Sequence, residues 1–85
     1  MDEHNPRLKA AILETVENQL TSGDPPETRE TLERLKREGF SDENARVLLG
    51  QAVAVEIYCI LKEKKPFNLE RFARNLRNLP AEPHE

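Results

Sequence analysis

The side chains that could do chemistry in this chain are few and scattered. It has two histidines, His4 and His84, one cysteine, Cys59, and a set of carboxylates among which Glu17 and Glu56 stand out. Glu17 is followed by Gln19 on an amphipathic stretch, and Glu56 sits inside the apolar run "VLLGQAVAVEIYCIL". A carboxylate buried there without a partner would cost on the order of several kcal/mol. Glu56 must therefore reach solvent, find a cation such as Lys9 or an arginine, or carry a proton. Glu17 and Glu56 are the candidate functional acids. To share an ion they would have to come within ~10 Å of each other, since oxygen–metal distances are ~2 to 2.6 Å. Cys59 lies in the apolar run with no histidine near it in sequence, which marks a structural thiol rather than a nucleophile. The histidines fall near the two ends, away from any carboxylate that could orient them. The three glycines, Gly23, Gly39 and Gly50, are isolated, so no phosphate-cradling loop is present. The reading is of no catalytic residues, no metal ligand set and no cofactor.

One cluster has direction. Residues 61–80 carry six basic side chains against two acidic ones, net +4, whereas residues 1–60 carry seven basic and twelve acidic, net −5. Arg71, Arg74 and Arg77 recur every three residues and so drift slowly around one helix face. With Lys64 and Lys65 in the preceding turn they form a candidate surface for phosphate or an acidic partner. The simpler account is that they offset the acidic body of the same protein. No aromatic is left on that face for base stacking, because Phe67 and Phe72 are needed inside.

Size limits what can position these groups. Eighty-five residues make one domain, and a domain of that size buries only roughly 60–65% of its unfolded surface, which predicts modest stability or support from a partner. The overall charge of −3 speaks against indiscriminate nucleic-acid binding. A single cysteine allows no internal disulfide and suits a reducing cytoplasm. The acidic start (Met1, Asp2, Glu3) predicts no secretory signal. The longest apolar stretch, Val47 to Leu61, is read as too short and too polar for a bilayer.

The periodicity predicts four helices and no strands. The first starts with Asn5 as cap and Pro6 in the first turn. Leu8, Ile12, Val16 and Leu20 form its stripe, Leu13 widens it, and Gly23 stops it. "DPPE" opens a short polar second helix with Asp24 as cap and Leu32 and Leu35 inward. The third runs from Asp42 to Glu63 behind a Ser41 cap. It is apolar on nearly every face, the mark of a helix surrounded by others. Asn68 caps the fourth, Phe67 staples to Phe72, and Pro80 ends it. Residues 1–4 and 81–85 are expected as flexible ends.

The turn "EGFSDENA" joins the second helix to the third. Gly39 stands where a helix needs a left-handed residue just past its end, and Phe40 where an apolar contact back to Leu35 is expected. The same eight residues resemble the contact loop of ubiquitin-associated domains. That resemblance would imply a short helix, a break and a third helix, whereas the helix here continues through Ala52 and Val55.

A second resemblance covers roughly residues 5–60. "NPRLKAAILETVENQL" and "GDPPETRETLERLKREG" look like a group of small helical bacterial domains of unknown function with an N-P-x-L-H-x-x-x-H, E-x-Q-L and D-x-P-P pattern. Asn5, Pro6, Leu8, Glu17, Gln19, Leu20, Pro25, Pro26, Arg34, Leu35 and Gly39 carry the match. The two histidines of that pattern, whose spacing would suit a metal, are Lys9 and Leu13 here. The resemblance implies an all-helical fold and transfers no functional residue.

The expectation is a compact all-α bundle of four helices with a central apolar third helix. Its function is read as protein–protein interaction or self-association in the cytoplasm, without enzymatic activity and without a membrane. The partner would be another protein or a second copy of the chain. Two other readings stand beside it: nucleic-acid or acidic-partner binding through the basic hairpin, and a degenerate metal-binding relative.

Overall fold

In the computed structural model, residues 6–85 are described, and they form α1 (Pro6–Ser22), α2 (Pro26–Arg37), α3 (Asp42–Glu63) and α4 (Leu69–Asn78). There is no strand among the described residues. The all-α bundle is what forms, with α3 packed against each of the other three helices. The Asn5 cap and the flexible end expected at residues 1–4 lie outside the described residues.

Local signals explain most boundaries. Ser41 Oγ accepts the Asn44 N–H at 3.0 Å and opens α3, and Asn68 Oδ1 accepts the Arg71 N–H at 3.0 Å and opens α4. Phe67 and Phe72 meet with ring centroids 5.3 Å apart, as a hydrophobic staple requires, but only Phe72 is inside; Phe67, expected there too, is exposed. The start of α2 differs from expectation. Asp24 does not cap it; Pro25 takes the cap position, with no side-chain bond, and Pro26 opens the helix. Two prolines bring no N–H to the first turn, so fewer donors there need a cap, and the Asp24 N–H turns back to Ser22 Oγ at 3.2 Å.

The "GF" corner is a complete Schellman motif. The Phe40 N–H reaches Leu35 O and the Gly39 N–H reaches Lys36 O, both at 3.1 Å. Gly39 adopts φ +105°, and a Cβ there would meet no atom within 4 Å. Gly39→Ala therefore pays backbone strain alone. It should lower the unfolding free energy by about 1–2 kcal/mol in a urea titration, with no change in helix content.

α1 runs antiparallel to α3: Glu17 pairs with Arg46, and Ile12 and Leu13 lie over Gly50. A Cβ on Gly50 would come within 3.1 Å of Ile12 Cγ2, so the glycine sets how closely these helices approach. Val16, Leu35, Leu49, Phe72 and Leu76 are fully buried between the helices.

α3 is not wrapped on all sides. α1 and α4 do not touch each other, so the sector of α3 between them stays open. Val47 (49% exposed), Tyr58 (37%) and Leu61 (60%) lie there, with Gln51 exposed and Ala54 half-buried in the same row. Leu13, expected to widen the buried stripe of α1, is itself 36% exposed beside this sector. The bilayer expectation also needs correction. The apolar stretch continues at both ends into a 22-residue helix, and its best window has a mean hydropathy of 1.3, so length and composition alone would let α3 cross a membrane. In the bundle, part of that apolar surface forms the core, and Glu56 is embedded in it.

Candidate functional site

Glu56 faces α4. Its Oε2 accepts from Arg71 Nε at 2.6 Å, and its Oε1 accepts from Arg71 Nη2 at 2.9 Å and from the Asn68 N–H at 2.9 Å. The glutamate side chain is 2% exposed and the arginine 14%. The Asn68 cap and the Phe67–Phe72 staple fix the first turn of α4 and so aim Arg71 at this point. The carboxylate hydrogen bond raises the Arg71 guanidinium above its ordinary pKa. A bidentate guanidinium and a backbone N–H occupy both carboxylate oxygens. Of the routes open to Glu56, the cation route is the one taken, and the cation is an arginine from the basic hairpin.

This changes the basic surface. Arg71 turns inward to Glu56. Lys65 pairs with Glu63 at 3.3 Å. Lys64 closes α3 in the left-handed conformation, φ 57°, with its side chain exposed. Arg74 Nη2 donates to the His84 carbonyl at 2.8 Å, while its Nε is buried without an acceptor among the described residues. Arg77 is exposed, with no ion pair or hydrogen bond among the described residues. Arg71, Arg74 and Arg77 do line one shallow hollow, as their spacing predicts, but Glu70 and Glu85 line it too.

Glu17 lies elsewhere. Its partner Arg46 also binds Asp42, and Arg46 precedes Glu56 by ten residues, about 15 Å along α3. Glu17 and Glu56 thus serve opposite ends of one helix and do not converge on an ion. The hydrogen bond from Arg46, then that from Lys36, holds the Asp42 carboxyl below the usual carboxylate range. The hydrogen bond from Lys65 does the same for Glu63. A folded value below the unfolded one means that the stabilisation is present above the unfolded value and is lost as pH falls through the folded one. Thermal unfolding should therefore move to lower temperature below about pH 4, and less steeply in high salt.

The tertiary structure also gathers a set that sequence spacing hides. Cys59 Sγ and the carboxylates of Glu63 and Glu85 lie within 4.8 Å of one another. Cys59 and Glu63 are one helical turn apart, but Glu85 arrives only because the chain folds back. Burial pushes the Cys59 thiol up, with a partial offset from Arg71, and Lys65 already engages Glu63. Both effects oppose a cation there.

That return of the chain was not expected. The segment 81–85, read as a flexible end, is anchored to α4. Asn75, fully buried, donates from Nδ2 to the His84 carbonyl at 3.0 Å and accepts the His84 N–H at 3.3 Å on Oδ1. The available sequence signal was Asn75 itself, a polar residue within the buried face of α4. No family model, curated protein or solved structure matches the chain. Among the described residues, each candidate acid has a cation partner, and the buried thiol is held in its neutral form.

Proposed function

We propose that the chain is a non-enzymatic interaction module that pairs with a second copy of itself in the cytoplasm. The supporting observation is the bare row on α3. Val47, Gln51, Ala54, Tyr58 and Leu61 alternate steps of four and three, the spacing that keeps a seam facing a partner helix. The ends of the row, Val47 and Leu61, lie seven residues to either side of Ala54. Two copies crossing antiparallel at that small residue would set Val47 of one against Leu61 of the other, as a two-fold interface requires. Charge fits the same direction. The start of α3 carries Glu43 and its end carries Lys62, neither with an ion pair among the described residues, so antiparallel pairing brings acid to base.

Sedimentation velocity from about 1 µM to 1 mM covers the affinity range of such a contact. A rise from monomer to dimer is expected, and Val47→Glu with Leu61→Glu should abolish it without lowering the melting temperature, since both residues are exposed. A strict monomer at the highest concentration would sink the reading. Nucleic-acid or acidic-partner binding is the second reading. It draws support from Lys64 and Arg77, both exposed and unengaged, and is weakened by Arg71 being spent on Glu56. Kinship with the small helical bacterial domains belongs to the same proposal, as does descent from a metal binder. The positions that would have held histidines, Lys9 and Leu13, are one turn apart and exposed on α1.

A further inference from the structure

Asn75 is a buried amide whose hydrogen-bonding capacity is spent on the backbone of one residue, His84. Arg74 adds a second bond to the His84 carbonyl, the third to that residue. A buried carboxamide on a helix has little reason to be there unless a peptide backbone comes to meet it, because leaving it unmatched is costly. The segment it holds contributes little else. Ala81, Glu82, His84 and Glu85 are exposed, and Pro83 is half-buried. Between this segment and α3 an open hollow of about 710 Å³ remains, floored by Leu48, Ala54, Val55 and Tyr58. That volume is within the range of ligand sites, and the residues 80–85, "PAEPHE", have no large apolar side chain to fill it.

We propose that this seat is a docking groove for an extended acidic peptide of a partner protein, with residues 80–85 as its resident placeholder. Asn75 reads the backbone of the peptide, so the seat is not particular to one sequence. Arg74 and Arg77 read an acidic side chain; Glu85 already lines their hollow, and Arg74 Nε still lacks an acceptor. A large apolar side chain on the peptide fills the space over Leu48, Val55 and Tyr58, which the resident leaves open. That is also why the occupant is a partner and not the same segment of a second copy: exchange would fill the hollow no better. The groove shares Gln51, Ala54 and Tyr58 with the row proposed for pairing, so a peptide and a second copy compete there.

The test uses the full chain, isotope-labelled for NMR, and a fluorescent hexapeptide with the sequence of residues 80–85 carrying His84→Leu. Binding should shift the Asn75 side-chain amide together with Leu48 and Val55. His84→Pro in the protein removes the N–H given to Asn75 Oδ1 and loosens the resident without altering the seat. It should tighten peptide binding about tenfold. Arg74→Gln should weaken binding about tenfold, and so should glutamine for glutamate in the peptide, with the two changes together costing no more than either alone. Equal affinity of the wild-type and His84→Pro proteins would overturn the proposal, as would shifts that map away from Asn75 or no binding by either protein. Because the two contacts share part of α3, the peptide titrations use protein dilute enough to sediment as a monomer, so failure of peptide binding and failure of pairing are read separately.

Discussion

Arg71→Ala is expected to lower the unfolding free energy by about 3–5 kcal/mol, because it leaves the Glu56 carboxylate buried without its cation. The carboxylate is 2% exposed and takes two of its three hydrogen bonds from that guanidinium. A domain of 85 residues has roughly 4–13 kcal/mol in all, so the single change should bring it close to unfolding at room temperature. The pair is not itself a large net source of stability. Removing both charges, with Glu56→Leu and Arg71→Met, replaces two desolvated ions by apolar volume and should recover most of the loss or exceed it. Urea unfolding of Glu56→Leu, Arg71→Met and the double variant closes a cycle. A double variant as unstable as Arg71→Ala would mean that the ion pair is indispensable to the joint between α3 and α4.

Phe72→Ala should cost a similar 3–5 kcal/mol for a different reason. Phe72 is fully buried, the largest such side chain among the described residues, and lies in one cluster with Leu35, Leu49 and Leu76. Its ring also carries the contact with Phe67 at 5.3 Å. Truncation opens a cavity where α2, α3 and α4 meet and loosens the first turn of α4 at once. Because that turn aims Arg71, the variant should also weaken the Glu56 pair. The losses from Phe72→Ala and Arg71→Ala should then be less than additive. Phe72→Leu, which keeps most of the volume, should recover over half of the deficit in the same urea titration.

These two residues show how the hairpin after α3 divides its work. Its aromatic pair and Arg71 hold it to the body, half-buried Arg74 holds the returning segment, and Arg77 and Lys64 remain at the surface. A run of positive charge in the sequence is thus three kinds of group in the fold: a buried partner, a strap contact and free cations. The open sector of α3 carries both the row around Ala54 and the hollow over Val55, which share Ala54 and Tyr58. Both exist because α1 and α4 flank α3 without meeting.

The sequence alone determined the number of helices, the boundaries of α3 and the form of the turns at Gly39 and Asn68. Those features depend on a few residues acting locally: Ser41 and Asn68 accept N–H groups three residues on, Gly39 takes a backbone conformation other residues avoid, and apolar residues repeat at the helical period. It also showed that Glu56 needed solvent, a cation or a proton, since its apolar neighbours are legible in the sequence. Which cation was a tertiary matter, because fifteen residues and a change of helix separate Glu56 from Arg71. The same holds for the open face of α3. An all-round apolar sequence shows how much surface seeks cover, whereas the placement of α1 and α4 decides how much receives it. The tail was read as loose because its own residues have little to bury. It is tied down by Asn75, a residue whose value lies in the backbone it meets, and only folding brings that backbone to it.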